Sequence, residues 1–273
     1  MIRVQEFVLP TRQTTVGHWR FRGDLLDDSG RGNHLTPVRL RSYVPGFTEN
    51  GLTAIKQDGE FEEGGRLPAA NATDFDFGTD SFTLEILHKP IDPYTDWPIR
   101  RYTGDTGPGF MVGLTLGLGG YRLCIYLHDG TAALPLFSAR IWTAQQHFAW
   151  EFWTIVVDRP NDQVRLYFNG IQDANSPFDI ASLGSLSAPA ANLDIGNRYH
   201  GEIDEVCISK EALTPAAIAQ RVAGSVIEKY PDDDDAFLLR FLPECHQGNA
   251  DLQEYLLPMT RQYRALKVLA DQT

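Results

Sequence analysis

Three carboxylates crowd one short stretch, Glu202-Ile203-Asp204-Glu205. Successive side chains alternate on an extended strand, so Glu202 and Asp204 share one face and Glu205 takes the other. Such a pair could act as nucleophile and helper in cleaving a glycosidic bond. Retaining hydrolysis, however, needs two carboxyl groups roughly 5–5.5 Å apart, one of them an acid–base partner. The next positions are Val206, Cys207 and Ile208, which supply no such group. The stretch is therefore expected to be a sheet-edge strand with no catalytic residue.

Oxygen donors also gather in the loop Asp27-Asp28-Ser29-Gly30-Arg31-Gly32-Asn33. Calcium takes six to eight oxygens from Asp, Asn and backbone carbonyls, which a loop of this kind could offer. The same aspartates could instead accept backbone N–H groups in an Asx turn, and both readings stay open. Sugar binding needs aromatic platforms with polar flanks. The aromatics in expected loops are Tyr94, Trp97, Tyr102, Trp142 and Tyr199. The histidines lack metal spacing of the His-Glu-x-x-His kind, and no Gly-x-Ser-x-Gly, Walker loop or Cys-x-x-Cys occurs.

Period-two segments dominate from about Thr14 to Ile208. In Tyr121-Arg122-Leu123-Cys124-Ile125-Tyr126-Leu127, the residues Tyr121, Leu123, Ile125 and Leu127 share one face. Val164-Arg165-Leu166-Tyr167-Phe168 alternates likewise and runs into Asn169-Gly170, the pair that suits a type I′ hairpin turn. Trp153-Thr154-Ile155-Val156-Val157 is a β-branched run that stops at a polar turn, Asp158-Arg159-Pro160-Asn161-Asp162. Many short strands between Gly, Pro, Asn and Asp predict an all-β, two-sheet antiparallel jelly-roll sandwich. Helix enters late. Thr214 is a good N-cap, Pro215 suits the first helical position, and Ile218, Val222 and Val226 recur at helical spacing. The expected layout is an N-terminal arm over 1–13, a sandwich with its closing helix over 14–230, and a C-terminal helical docking arm over 231–273.

Composition narrows the partners. The 273 residues carry 24 Lys and Arg against 36 Asp and Glu, a formal net charge of −12. Such a chain repels phosphate backbones and anionic surfaces, so neither nucleic acid nor membrane insertion is expected. The start of the chain lacks a basic segment followed by an apolar run, so no secretion signal is read there. Three widely spaced cysteines, Cys124, Cys207 and Cys245, argue against a disulfide framework. The arm beyond Pro231 holds Phe237, Leu238, Leu239, Phe241, Leu256, Leu257, Leu266, Val268 and Leu269. That is more apolar surface than a solvated tail needs, and it predicts docking onto other subunits of an assembly.

Four stretches, in order, resemble the laminin-G-like, concanavalin A-like lectin and glucanase superfamily. The first is His18-Trp19-Arg20-Phe21 with Asp28-Ser29-Gly30-Arg31-Gly32-Asn33-His34. The second is Phe82-Thr83-Leu84-Glu85-Ile86-Leu87-His88-Lys89-Pro90, where Leu87 replaces the family's usual Trp. The third runs from Trp153 to Tyr167-Phe168-Asn169-Gly170. The fourth is Ile195-Gly196-Asn197, Tyr199-His200-Gly201-Glu202-Ile203-Asp204-Glu205-Val206 and Ala212-Leu213. This resemblance implies a jelly roll in which a structural calcium ion is held by Asp28 and Asp204. It further implies a non-enzymatic adhesion or lectin-like module. A virion component of a phage, capsid decoration or tail, with cell-surface glycans as partners, is the expected setting. A free carbohydrate-binding module is the alternative, and a glycoside hydrolase is a third.

Overall fold

A computed structural model of the protein describes residues 11–39, 42–45, 53–58, 64–90, 96–104, 107–117, 119–143, 150–196 and 199–227. Tyr94, Cys245 and the expected docking arm over 231–273 lie outside them. The sandwich belongs to a compact unit, Val8–Arg221. Its strands, among the described residues, are β1 (Thr15–Trp19), β2 (Thr36–Val38), β3 (Ser42–Pro45), β4 (Thr53–Asp58), β5 (Gly64–Leu67), β6 (Phe82–Pro90), β7 (Asp96–Tyr102), β8 (Gly109–Gly117), β9 (Gly120–His128), β10 (Ala133–Phe137), β11 (Glu151–Asp158), β12 (Gln163–Phe168), β13 (Ile171–Gln172), β14 (Phe178–Asp179), β15 (Leu193–Ile195) and β16 (His200–Ser209). One helix, α1 (Pro215–Ile227), follows.

The strands form two antiparallel sheets, as the alternation and turn residues predict. The first runs β13-β12-β11-β6-β16-β4-β3, with β1 added to β16 and β14 to β12. The second runs β10-β9-β8-β7-β15-β5-β2. Between them, Leu84, Ile86, Trp153 and Ile155 of the first meet Ile99, Val112, Leu123 and Ile125 of the second. Trp19 is fully buried against Phe75, their rings 5.8 Å apart. Phe77 stacks on Phe82 at 4.1 Å. The Asn169-Gly170 turn forms as read, with φ of 50° and 82°, the positive pair that a type I′ turn demands. Cys124 and Cys207 are buried free thiols.

The centre of the first sheet is buried on both faces. Every residue of β11 is buried: its inward side chains fill the core, and outward Val156 meets Ile218 of α1. Thr214 caps that helix, its Oγ1 accepting from the Ala217 N–H at 3.2 Å. Ile218 then packs on Val156, Tyr167 and Leu213. One turn later Arg221 reaches Glu85 at 2.5 Å. Glu85 sits in a polar row that crosses five strands in register: His18, Cys207, Glu85, Thr154 and Tyr167. A buried ion pair contributes little net stability, but removing one partner strands the other charge.

Burial lifts the Glu85 carboxyl to about 7 although Arg221 pulls it down. The folded protein thus holds this proton more tightly than the unfolded chain, where the group lies near 4.5. By linkage, the group's contribution to stability is full below pH 4.5 and is lost as pH rises through about 7. Glu85→Gln should flatten this slope, read as melting temperature against pH; an unchanged slope rejects the assignment. Arg221→Met should cost about 1–3 kcal/mol at neutral pH, because it raises the Glu85 carboxyl further and leaves it buried without its hydrogen-bond partner. Adding Glu85→Gln should recover much of that loss in denaturant titrations.

Candidate functional site

The Glu202–Glu205 stretch does not take the edge position expected of it. Strand β16 lies inside its sheet, between β6 and β4 and also paired with β1, so it is no edge. Its pairing skips Asp204: Ile203 faces His88 and Glu205 faces Leu87. This bulge adds one residue and resets the alternation, so Glu205 shares its face with Glu202. Both carboxylates are engaged. Glu202 meets Lys89 at 3.2 Å, and Glu205 accepts a 2.5 Å bond from the His18 ring with its side chain only 2% exposed. Asp204 occupies the bulge itself, half-buried.

The loop at Asp27 is built as a hydrogen-bonded turn. The Asp27 carboxylate accepts from the backbone N–H groups of His18, Ser29 and Asn33, each at 2.9 Å. It also accepts from the Ser29 hydroxyl at 2.7 Å. Asp28, the residue expected to hold calcium, instead faces the Arg20 guanidinium at 3.3 Å. An ion bound by Asp28 would have to displace that cation. Among the described residues no group of three or more His, Cys, Asp or Glu side chains could hold a metal. The donors present suit a turn and do not fit a calcium site.

Two of the aromatic candidates are core residues, which corrects the expectation that they form platforms. Tyr199 is fully buried, and its hydroxyl shares a 2.7 Å hydrogen bond with His88 Nδ1. Burial holds that imidazole neutral, pulling it down to about 3. Trp142 is 4% exposed and packs on Phe168 and Trp153, with Arg140 over its ring. Both lie in short segments that fold inward beside strands. Trp97 is half-buried at a bulge in β7, between Asp96 and Ile99.

Tyr102 is the candidate that reaches an outer face. On β7, Ile99 and Arg101 turn inward, so Arg100 and Tyr102 turn outward on the second sheet. Across the ladder Tyr102 pairs with Gly109, and Gly109 with His128. Gly109 has φ 137° and no side chain, and a Cβ there would meet the Arg101 carbonyl at 2.1 Å. The gap lets the Tyr102 and His128 rings approach to 6.0 Å. Tyr126 completes the cluster, 5.7 Å from Tyr102 and 6.4 Å from His128, nearly parallel to the latter at 27°. His128 Nδ1 accepts from the Gly130 N–H at 2.8 Å, which leaves Nε2 as the ring's donor.

One row along the same face sits a charged clamp. Asp194 on β15 is flanked in register by Arg66 on β5 and Arg100 on β7. Arg66 donates to both carboxylate oxygens, Nε at 2.6 Å and Nη2 at 3.3 Å, and Arg100 Nε donates at 3.1 Å. The Asp194 side chain is 5% exposed, whereas Arg66 and Arg100 are 23% and 33% exposed. Aromatic faces beside fixed polar donors are what a sugar ring needs: apolar C–H surface against a ring, hydroxyls against donors. Only Tyr102 of this set was singled out from the sequence. Tyr126 and His128 follow from the same alternation that put Leu123, Ile125 and Leu127 inward.

The turn reading predicts that EDTA leaves the melting temperature unchanged. Asp27→Ala, by contrast, should lower stability by about 1–3 kcal/mol, since it leaves buried N–H groups unpaired. A melt that falls with EDTA and recovers with calcium would show that the loop binds an ion.

No curated protein sequence matches the chain. Solved structures do. The binding domain of Paraclostridial Mosquitocidal Protein 1 superposes with a TM-score of 0.62 at 14% identity, over 77% of this chain and 52% of that one. This chain therefore spans about half the length of that solved binding domain. Domain 4 of AbnA, a GH43 extracellular arabinanase from Geobacillus stearothermophilus solved with arabinotriose, matches at 0.52 and 20%, over 77% of this chain and 98% of that one. A Trypanosoma rangeli sialidase matches at 0.53 and 15%, over 81% of this chain and 34% of that one. These likenesses show the jelly-roll fold. A family model matches residues 64–219, more than half of the chain, and with the paired sheets it places the protein in the concanavalin A-like lectin/glucanases superfamily.

Proposed function

We propose that the protein is a non-enzymatic, glycan-binding sandwich module that works as a structural or adhesion component of a larger assembly, a phage virion being the setting proposed. One observation carries the binding part: Tyr102, Tyr126 and His128 cluster on an outer sheet face beside the Arg66–Asp194–Arg100 clamp. The engaged carboxylates of β16 support binding over hydrolysis. Glu202 and Glu205 are each committed to a cation or ring, which leaves neither poised as nucleophile or acid. The similar domain solved with arabinotriose and the similar binding domain of the mosquitocidal protein are consistent with this reading. Tyr126→Ala should weaken binding on a glycan array by at least tenfold while leaving the melting temperature within a few degrees, because Tyr126 is only half-buried. Trp142→Ala should instead destabilise the fold by about 3–5 kcal/mol. Unchanged glycan binding by the Tyr126 variant rejects this face as the site.

The assembly part rests on composition. Residues 231–273 carry an acidic run, Asp232 to Asp235, followed by the apolar residues named above. A chain ending at Tyr230 should stay folded and soluble yet fail to associate with its neighbours, as read by light scattering and co-sedimentation. Unfolding of that truncated chain, or unaltered association, rejects the docking arm.

A further inference from the structure

In the clamp beside the aromatic cluster, Arg66 and Arg100 both donate to the Asp194 carboxylate. A guanidinium nitrogen left toward water there selects for anions. The two arginines are not equivalent. Arg66 spends Nε and Nη2 on Asp194 as a two-point fork, whereas Arg100 donates through Nε alone. The terminal nitrogens of Arg100 have no protein partner among the described residues, and its side chain is one-third exposed. Asp194 thus fixes the Arg100 guanidinium without consuming it. Arg100 stands two residues from Tyr102 on the same face, about 7 Å along the strand. Tyr126 lies two strands over, across Met111.

From this placement we infer that the face takes an acidic sugar, its ring against Tyr126 and its carboxylate on the terminal nitrogens of Arg100. The inference rests on the glycan-binding reading and adds the ligand's chemical class. Planar, two-point recognition of a carboxylate is what a guanidinium does and an ammonium does not. A neutral sugar would leave the same nitrogens to water and lose that bond. The Tyr126 hydroxyl then serves a sugar hydroxyl and does not distinguish acid from neutral.

Matched probes test the class and its source. Sialyllactose is compared with lactose, and trigalacturonate with its methyl ester, by calorimetry on the full chain. At least one acidic probe should bind roughly tenfold or more tighter than its neutral partner, and added salt should reduce the gap. Which pair shows it assigns the carboxylate to a sialic acid or to a uronic acid. Arg100→Gln should bring the acidic and neutral affinities of each pair to within about twofold of one another, and Arg100→Lys should restore only part of the difference. Tyr126→Ala should weaken both members of a pair alike. Equal affinity within both pairs for the native chain overturns the acidic-sugar inference and leaves the glycan reading intact. Absence of binding to every probe overturns both. A preference that survives Arg100→Gln overturns the assignment to Arg100.

Discussion

Burial of β11 on both faces is the constraint from which the rest follows. Strand β11 has no face toward water: Trp153 and Ile155 fill the sandwich, while Val156 lies under α1. A strand of this kind reads as a continuous apolar run, as Trp153-Thr154-Ile155-Val156-Val157 does. Covering the outer face has a cost, because its polar row of Glu85, Thr154 and His18 must be dried as well. Arg221 offsets part of that cost by meeting Glu85, and Glu205 offsets another part by meeting His18. With β11 covered on both sides, the second sheet carries the half-buried Tyr102, Tyr126, Arg66 and Arg100 on its outer face. Core and proposed binding surface thus fall on different sheets.

Specificity on the second sheet depends on groups that never touch a ligand. Asp194 is nearly buried, yet it determines how the Arg100 fork is oriented. Gly109 contributes no atom beyond the backbone, yet its missing side chain allows Tyr102 and His128 to meet. Gly130 selects the His128 tautomer through one backbone N–H. Each of these supports holds a contacting group in place before any ligand arrives, which reduces the entropy lost on binding.

Much of the scaffold was legible because local chemistry and tertiary packing agree. Alternation marked the strands, Asn169-Gly170 marked its hairpin, and Thr214-Pro215 marked the start of α1. The failures share a cause: each depends on register or burial, which are non-local. The bulge at Asp204 turns Glu205 to the face of Glu202, and nothing in Glu-Ile-Asp-Glu announces an extra residue. In the Asp27-Asp28 pair both residues look alike as donors, but the bridge of Trp19 to Asp27 turns the first inward to the backbone amides. Tyr199 and Trp142 looked like loop aromatics because no alternating run contains them. Their rings were drawn into the core by His88 and Phe168, partners more than twenty residues away in sequence.

Those displaced aromatics also bear on why this sandwich suits binding more than hydrolysis. A hydrolase must keep two carboxyls close, desolvated to different extents and free of fixed cations, so that one can be acid and the other nucleophile. Here each buried carboxylate is matched to a cation, ring or amide: Glu85 to Arg221, Glu205 to His18, Asp27 to backbone N–H groups, Asp194 to two arginines. Matched carboxylates hold geometry; they do not shuttle protons. The Asp194 pairing differs from the others in one respect that matters. It leaves one partner, Arg100, with donors facing water, and a saturated ion pair thereby becomes a receptor for a second carboxylate brought by a ligand.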